Sequence, residues 1–172
     1  MSALTPDQIA PLLAASVATL RAEVRALGLE ARWRPAPGEW SVNECVGHLL
    51  EADARGFAGR IRAIMKVDGV ALVSWDPAVV AAARHDEEAD PLELVEAFAT
   101  RRSEGIALVR SLAPADLGRI GLHPMVGPLR IDEILAEWVH HDRNHVRQAL
   151  AVTEARVWNQ MGATRRFSEP AG

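Results

Sequence analysis

Residues 138–148 read WVHHDRNHVRQ, and the direction in which His141 and His145 point decides how the chain folds around them. The surrounding segment, from about Leu129 to Val152, carries Ile131, Ile134, Leu135, Trp138, Ala149 and Leu150 at helical spacing. Side chains four residues apart stack on one helix face. Ile134, Trp138, His141, His145 and Ala149 step by threes and fours, so both histidines continue the apolar stripe. His140 is rotated by about 100° from His141 and belongs at the edge or in solvent. A buried polar group without a partner costs about 1–3 kcal/mol. A shared metal ion or a dense hydrogen-bond network removes that cost. Spacing alone more often marks a surface or hydrogen-bonded pair; the inward stripe is what favours a metal. A third ligand must come from another helix, and His48 is the candidate, flanked one turn away by the small residues Cys45 and Ala52.

Working outward, three more helices emerge. Ile9, Leu12, Leu13, Val17, Leu20, Val24 and Leu27 form an amphipathic stripe behind a Thr5-Pro6 cap, with Gly28 as its stop. ARWRPAPGEW is loop. Ser41-Val-Asn-Glu44 then matches a capping box. The helix behind it carries Val42, Val46, Leu49, Leu50, Phe57, Ile61 and Ile64 and ends near Lys66. Asp90-Pro91 opens a third helix with the stripe Val95, Phe98, Ile106, Val109 and Leu112. Residues 67–90 form a long connection with a short alanine-rich helix near 77–84, suited to a crossover or a lid. Residues 113–128, with Pro114, Pro124 and Pro128, read as a long loop. A short helix at 153–161 and a flexible tail over 162–172 complete the reading. Four long helices without strand alternation predict an all-α, up-and-down four-helix bundle in one domain over 1–172, its core about 5–152.

Bulk properties exclude several function classes. The 172 residues carry a net charge of −4, against the concentrated basic surface that nucleic-acid binding needs. No apolar stretch approaches the roughly 20 residues of a membrane span. The N-terminus lacks the basic start of a signal peptide, which makes the cytoplasm the expected location. Cys45 is the single cysteine, so intrachain disulfides and Cys-rich zinc sites are excluded, and it reads as core. Trp40 and Trp138 read as packing residues, and Glu87-Glu88 as a solvated acidic loop.

Two stretches carry a resemblance. GEWSVNECVGHLLEADARGFAGRI is similar to the first signature of the DinB/YfiT-like superfamily, and HPMVGPLRIDEILAEWVHHDRNHVRQAL to the second, ending in His-Asp-x-x-His-x-x-Gln. Together they cover less than a third of the chain, and the order of the remaining helices also fits. The resemblance implies a divalent metal, nickel or zinc, held by His48, His141 and His145. It also implies a homodimer. Characterised members of the family include thiol-dependent transferases and isomerases, such as bacillithiol transferases and mycothiol-dependent maleylpyruvate isomerase.

Three imidazoles leave a metal with an open position, the pattern of catalytic sites. Activated water there permits hydrolysis; a low-molecular-weight thiol bound as thiolate permits transfer. Asp53 and Asp142 are candidate acceptors for an imidazole N–H, with a surface or interhelical ion pair an equal alternative for Asp53; Gln148 is a candidate for orienting a ligand or equally a plain polar packing residue. Lys66 and the scattered arginines define no carboxylate site. The expected function is a metal-dependent enzyme on small molecules, a thiol S-transferase or a related isomerase or hydrolase, and the resemblance favours the thiol route; the alternatives are a non-catalytic metal-binding or stress-related protein and a plain helical interaction module.

Overall fold

The computed structural model describes residues 3–168. Helix α1 spans Pro6–Leu27, and Thr5 and Gln8 close a capping box at its start. Helix α2 (Val42–Glu51) begins at the Ser41–Glu44 capping box, runs through a π-helical turn at Ala52–Phe57 and continues as α3 (Ala58–Lys66). Helix α4 is the short Pro77–Arg84. Helix α5 spans Pro91–Ser111 behind an Asp90 cap, and α6 spans Ile131–Trp158. The expected four-helix bundle is formed by α1, the α2–α3 rod, α5 and α6.

Its neighbour relations follow from the loops. Both α1 and α2 pack against α5 and α6. Helices consecutive in the long-helix order, α1 with α2 and α5 with α6, therefore face each other across the bundle diagonal. The proline-rich connections at 28–41 and 112–130 carry the chain across the bundle ends, which explains why neither is a tight turn.

The structure corrects three local expectations. Residues 113–128 are not all loop: β2 (Ile120–His123) pairs antiparallel with β3 (Gly127–Arg130), and β1 (Val70–Ala71) joins β2 in parallel. Leu129 and Arg130 thus belong to a strand, and α6 starts at Ile131. The segment 153–158 continues α6 with no break, because nothing in it interrupts the helical ladder. Gly162–Phe167, inside the expected flexible tail, forms a 3₁₀ helix, while 169–172 lie outside the described residues.

The apolar core divides in two. One cluster holds Ile9, Leu13, Ile61, Ile131, Leu135 and Trp138; the other holds Val17, Leu20, Val46, Phe98, Val146 and Val152. Between them lies a buried ionic layer. Arg102, fully enclosed, engages all five of its N–H donors. Its Nε and Nη2 donate to Asp53 at 2.7 and 2.9 Å, Nη2 also to Asp142 at 2.8 Å, and Nη1 to the Leu13 carbonyl at 3.1 Å and to the second Asp142 oxygen. Trp138 Nε1 donates to Asp53 at 2.8 Å. Every helix of the bundle contributes to this layer. Gly105 makes room for it: a Cβ there would stand 2.7 Å from Trp138 Cη2.

Candidate metal centre

The capping box at Ser41 sets the phase of α2 and directs His48 inward, where it is buried. The stripe of α6 directs His141 and His145 toward it. The ring centroids of His48 lie 5.0 Å from His141 and 4.4 Å from His145, and those of the α6 pair are 4.5 Å apart. One ligand nitrogen from each ring falls within 4.8 Å of the others. His48 Nε2 and His141 Nε2 stand 3.0 Å apart.

The chemistry of these rings fits a metal. Burial lowers all three from their ordinary range, His48 to about 4 and His141 to about 3, with neighbouring imidazoles adding to the effect. His145 is also lowered by burial, opposed by Gln148 and Asp142. Neutral imidazoles offer lone pairs at pH 7. Gln148 Oε1 lies 3.0 Å from His145 Nδ1; as acceptor it fixes the tautomer that leaves Nε2 bare. His141 Nδ1 is buried without a hydrogen-bond partner. Two Nε2 atoms face each other here, and only a proton or a cation between them makes that contact favourable. The three residues could hold one metal ion.

Asp53 and Asp142 do not accept from the imidazoles. Both turn to Arg102, because a fully buried guanidinium demands acceptors for every N–H. Burial raises the Asp53 carboxyl above its usual range, and Arg102 and Trp138 oppose that rise. Burial pulls the Arg102 guanidinium down, but the charges of Asp142 and Asp53 outweigh it and leave it above its ordinary value. The ionic layer nevertheless supports the site. Trp138 stacks on Phe57 at 5.3 Å, and the Phe57 ring meets His141 edge-on at 5.2 Å.

Sequence reasoning missed three participants. Trp40, read as packing, stacks on His145 at 5.8 Å and leans on His48 at 5.1 Å. Trp75, from the 67–90 connection, stands 6.3 Å from His48. Arg102 holds the ionic layer, and its signal was an arginine at a stripe position between Phe98 and Val109. Trp138 and Cys45 are core residues as read, and burial pushes the Cys45 thiol up to about 12. His140 is exposed beside Asn144, and His85 closes α4 in the left-handed region.

A cavity of about 740 Å³ opens onto His141. Its apolar wall includes Phe57, Trp75, Ile134 and Leu129, and the β2–β3 turn contributes Met125 and Val126 at the rim. No helix among the described residues is long and apolar enough to cross a membrane.

Comparison with known proteins agrees with this architecture. The model of the DinB superfamily matches residues 12–149. No curated protein sequence matches the chain. Among solved structures, the chain is similar to YfiT from Bacillus subtilis, with 20% identity and a TM-score of 0.77 over 91% of this chain and 87% of that one. YfiT is described as a probable metal-dependent hydrolase with an unusual four-helix bundle topology. The family match spans both the His48 helix and the His141–His145 helix, and the chain belongs to the DinB superfamily.

Proposed function

We propose that this protein is a metal-dependent enzyme that acts on a small molecule in the cavity beside His141. The observation that carries the reading is the convergence of three neutral imidazoles, His48 buried and the α6 pair half-buried, with His141 at the wall of a mostly apolar cavity of about 740 Å³. A bound divalent ion, nickel or zinc, would supply Lewis-acid activation of water or of a thiol at an open coordination position. The chain's own residues do the rest. His48, His141 and His145 present lone pairs, Gln148 holds the His145 tautomer, and Phe57 fixes the His141 ring. Trp40 and Trp75 flank the histidines and exclude water from their sides. Hydrolysis is favoured over thiol transfer by the likeness to YfiT, and low-molecular-weight thiols remain the second nucleophile to test.

The test is elemental analysis of the purified wild type beside His48→Ala and His145→Ala. About one divalent ion per chain, lost in both variants, supports the reading. Wild type that is metal-free and takes up neither nickel nor zinc on titration overturns it. Metal-loaded protein without turnover across hydrolytic and thiol-transfer substrates would leave a metal-binding protein and remove the enzyme.

A further inference from the structure

The cavity beside His141 has a second polar feature. Arg60 lies on α3, twelve residues beyond His48 on the same rod, roughly 18 Å along its axis at helical rise. Its guanidinium lines the cavity together with His123 of β2. Arg60 forms no ion pair among the described residues. Its Nη2 lies 3.1 Å from His123 Nε2, and its Nε is buried with no acceptor. His123 is itself contested: the Met125 N–H points at its Nδ1 from 3.3 Å. A neutral imidazole has one lone-pair nitrogen, so the two donors compete for a single acceptor. Burial lowers the Arg60 guanidinium, and burial together with Arg60 lowers His123, so the histidine offers no charge. Two carboxylates, Glu133 and Glu137, line the same cavity from α6, and neither reaches Arg60 at ion-pair distance. Glu133 is committed to capping α6 through the Arg130 N–H at 2.8 Å.

A half-buried cation with one weak neutral partner is an incomplete site. The missing partner is an anion of a shape that a planar guanidinium recognises, and the walls between Arg60 and His141 are mostly apolar, with Glu133 and Glu137 the acidic exceptions on the α6 side. We propose that Arg60, backed by His123, binds the carboxylate of an amphiphilic substrate whose apolar body lies against Phe57, Trp75 and Ile134 and whose reacting end reaches the three histidines. The last clause rests on the function proposed above; the carboxylate subsite does not.

The experiment is calorimetric titration of the full-length protein, zinc-loaded and chelator-treated, with 3-phenylpropionate and with its neutral amide. The chelator-treated arm removes any coordination of the carboxylate by a metal. Wild type is expected to bind the acid about tenfold more tightly than the amide in both states, the worth of one charge-assisted contact. Arg60→Met should bring the ratio close to one while amide binding persists, and Arg60→Lys should retain part of the preference. Equal affinities in chelator-treated wild type would overturn the subsite without recourse to any variant. A preference that survives Arg60→Met would overturn it as well. A preference that depends on Arg60 in a protein that takes up no metal would support the subsite and refute the proposed enzyme.

Discussion

Replacing Arg102 with Met tests the architecture most directly. The substitution keeps much of the apolar stem of a side chain that is fully buried, and it removes five donated hydrogen bonds. Asp53 and Asp142, each about 1% exposed, are then left without a counter-charge. Breaking a buried ion pair by deleting one partner costs about 3–5 kcal/mol. A domain of this size has about 5–15 kcal/mol in total. At about 2–4 °C per kcal/mol, the melting temperature should fall by roughly 6–20 °C. The deficit has a pH signature. Without Arg102 the Asp53 carboxyl, already raised by burial, becomes still harder to ionise in the folded protein than in the unfolded chain. The folded state then binds more protons between the unfolded and folded values, so the variant is least stable above that window. Its deficit relative to wild type should therefore shrink as pH falls from 7 toward 5. Urea denaturation of both proteins across this range measures it. A loss under about 1 kcal/mol at pH 7, or a deficit that grows on acidification, would refute the view that Arg102 neutralises the layer. Replacing the whole triad with apolar residues should recover much of the loss, because an ion pair removed entire leaves no stranded charge.

Three further predictions follow from the geometry. Gly105→Ala places a methyl 2.7 Å from Trp138 Cη2, and overpacking of this kind should cost about 1–3 kcal/mol in urea denaturation; a neutral effect would mean that the indole shifts freely. Gln148→Leu removes the acceptor at His145 Nδ1 and should weaken zinc binding about 10–100-fold by competition titration, with an unchanged affinity counting against the tautomer argument. In chelator-treated protein, His48 and His141 stay neutral down to about 4 and about 3, whereas the unfolded chain protonates near 6.5. The unfolded state binds more protons in between, so stability should decline as pH drops from about 6.5 to about 4. His48→Ala should flatten part of that slope; a slope of wild-type size would assign it to other groups.

The bundle and the three histidines were legible because each rests on a local signal. Caps at Thr5, Ser41 and Asp90 fix where helices start, and helical phase fixes which way His141 and His145 face. The small sheet was not legible. Strands of two and four residues are too short for alternation to register, and Pro124 and Pro128 read as loop punctuation. The π-helical turn at Ala52–Phe57 has no compositional mark, yet it is where Asp53 and Phe57 are both turned inward. Of the two readings of Asp53 the interhelical ion pair holds, and neither Asp53 nor Asp142 serves the imidazoles, for a long-range reason. Their partner sits 49 and 40 residues away on α5, and helical periodicity treats an arginine as a solvent residue. Trp40 and Trp75 come from connections, where sequence carries no phase from which to infer direction.

The diagonal arrangement of the helices bears on how the chain can be made. A growing polypeptide that has completed only α1 and α2 holds two helices that are not direct neighbours in the finished molecule, and α5 supplies only one of the two walls each needs. Arg102 leaves the ribosome forty residues ahead of Asp142, with the acceptor for two of its five hydrogen bonds still to be synthesised. No helical hairpin formed early corresponds to a native pair of α1 with α2. The packing of α1 and α2 on α5 can begin before α6 emerges, but the ionic layer and the second wall of each helix close only when it does. Nascent chains stalled before residue 142 should be more protease-sensitive than the released chain, and release of the last helix should remove that excess sensitivity.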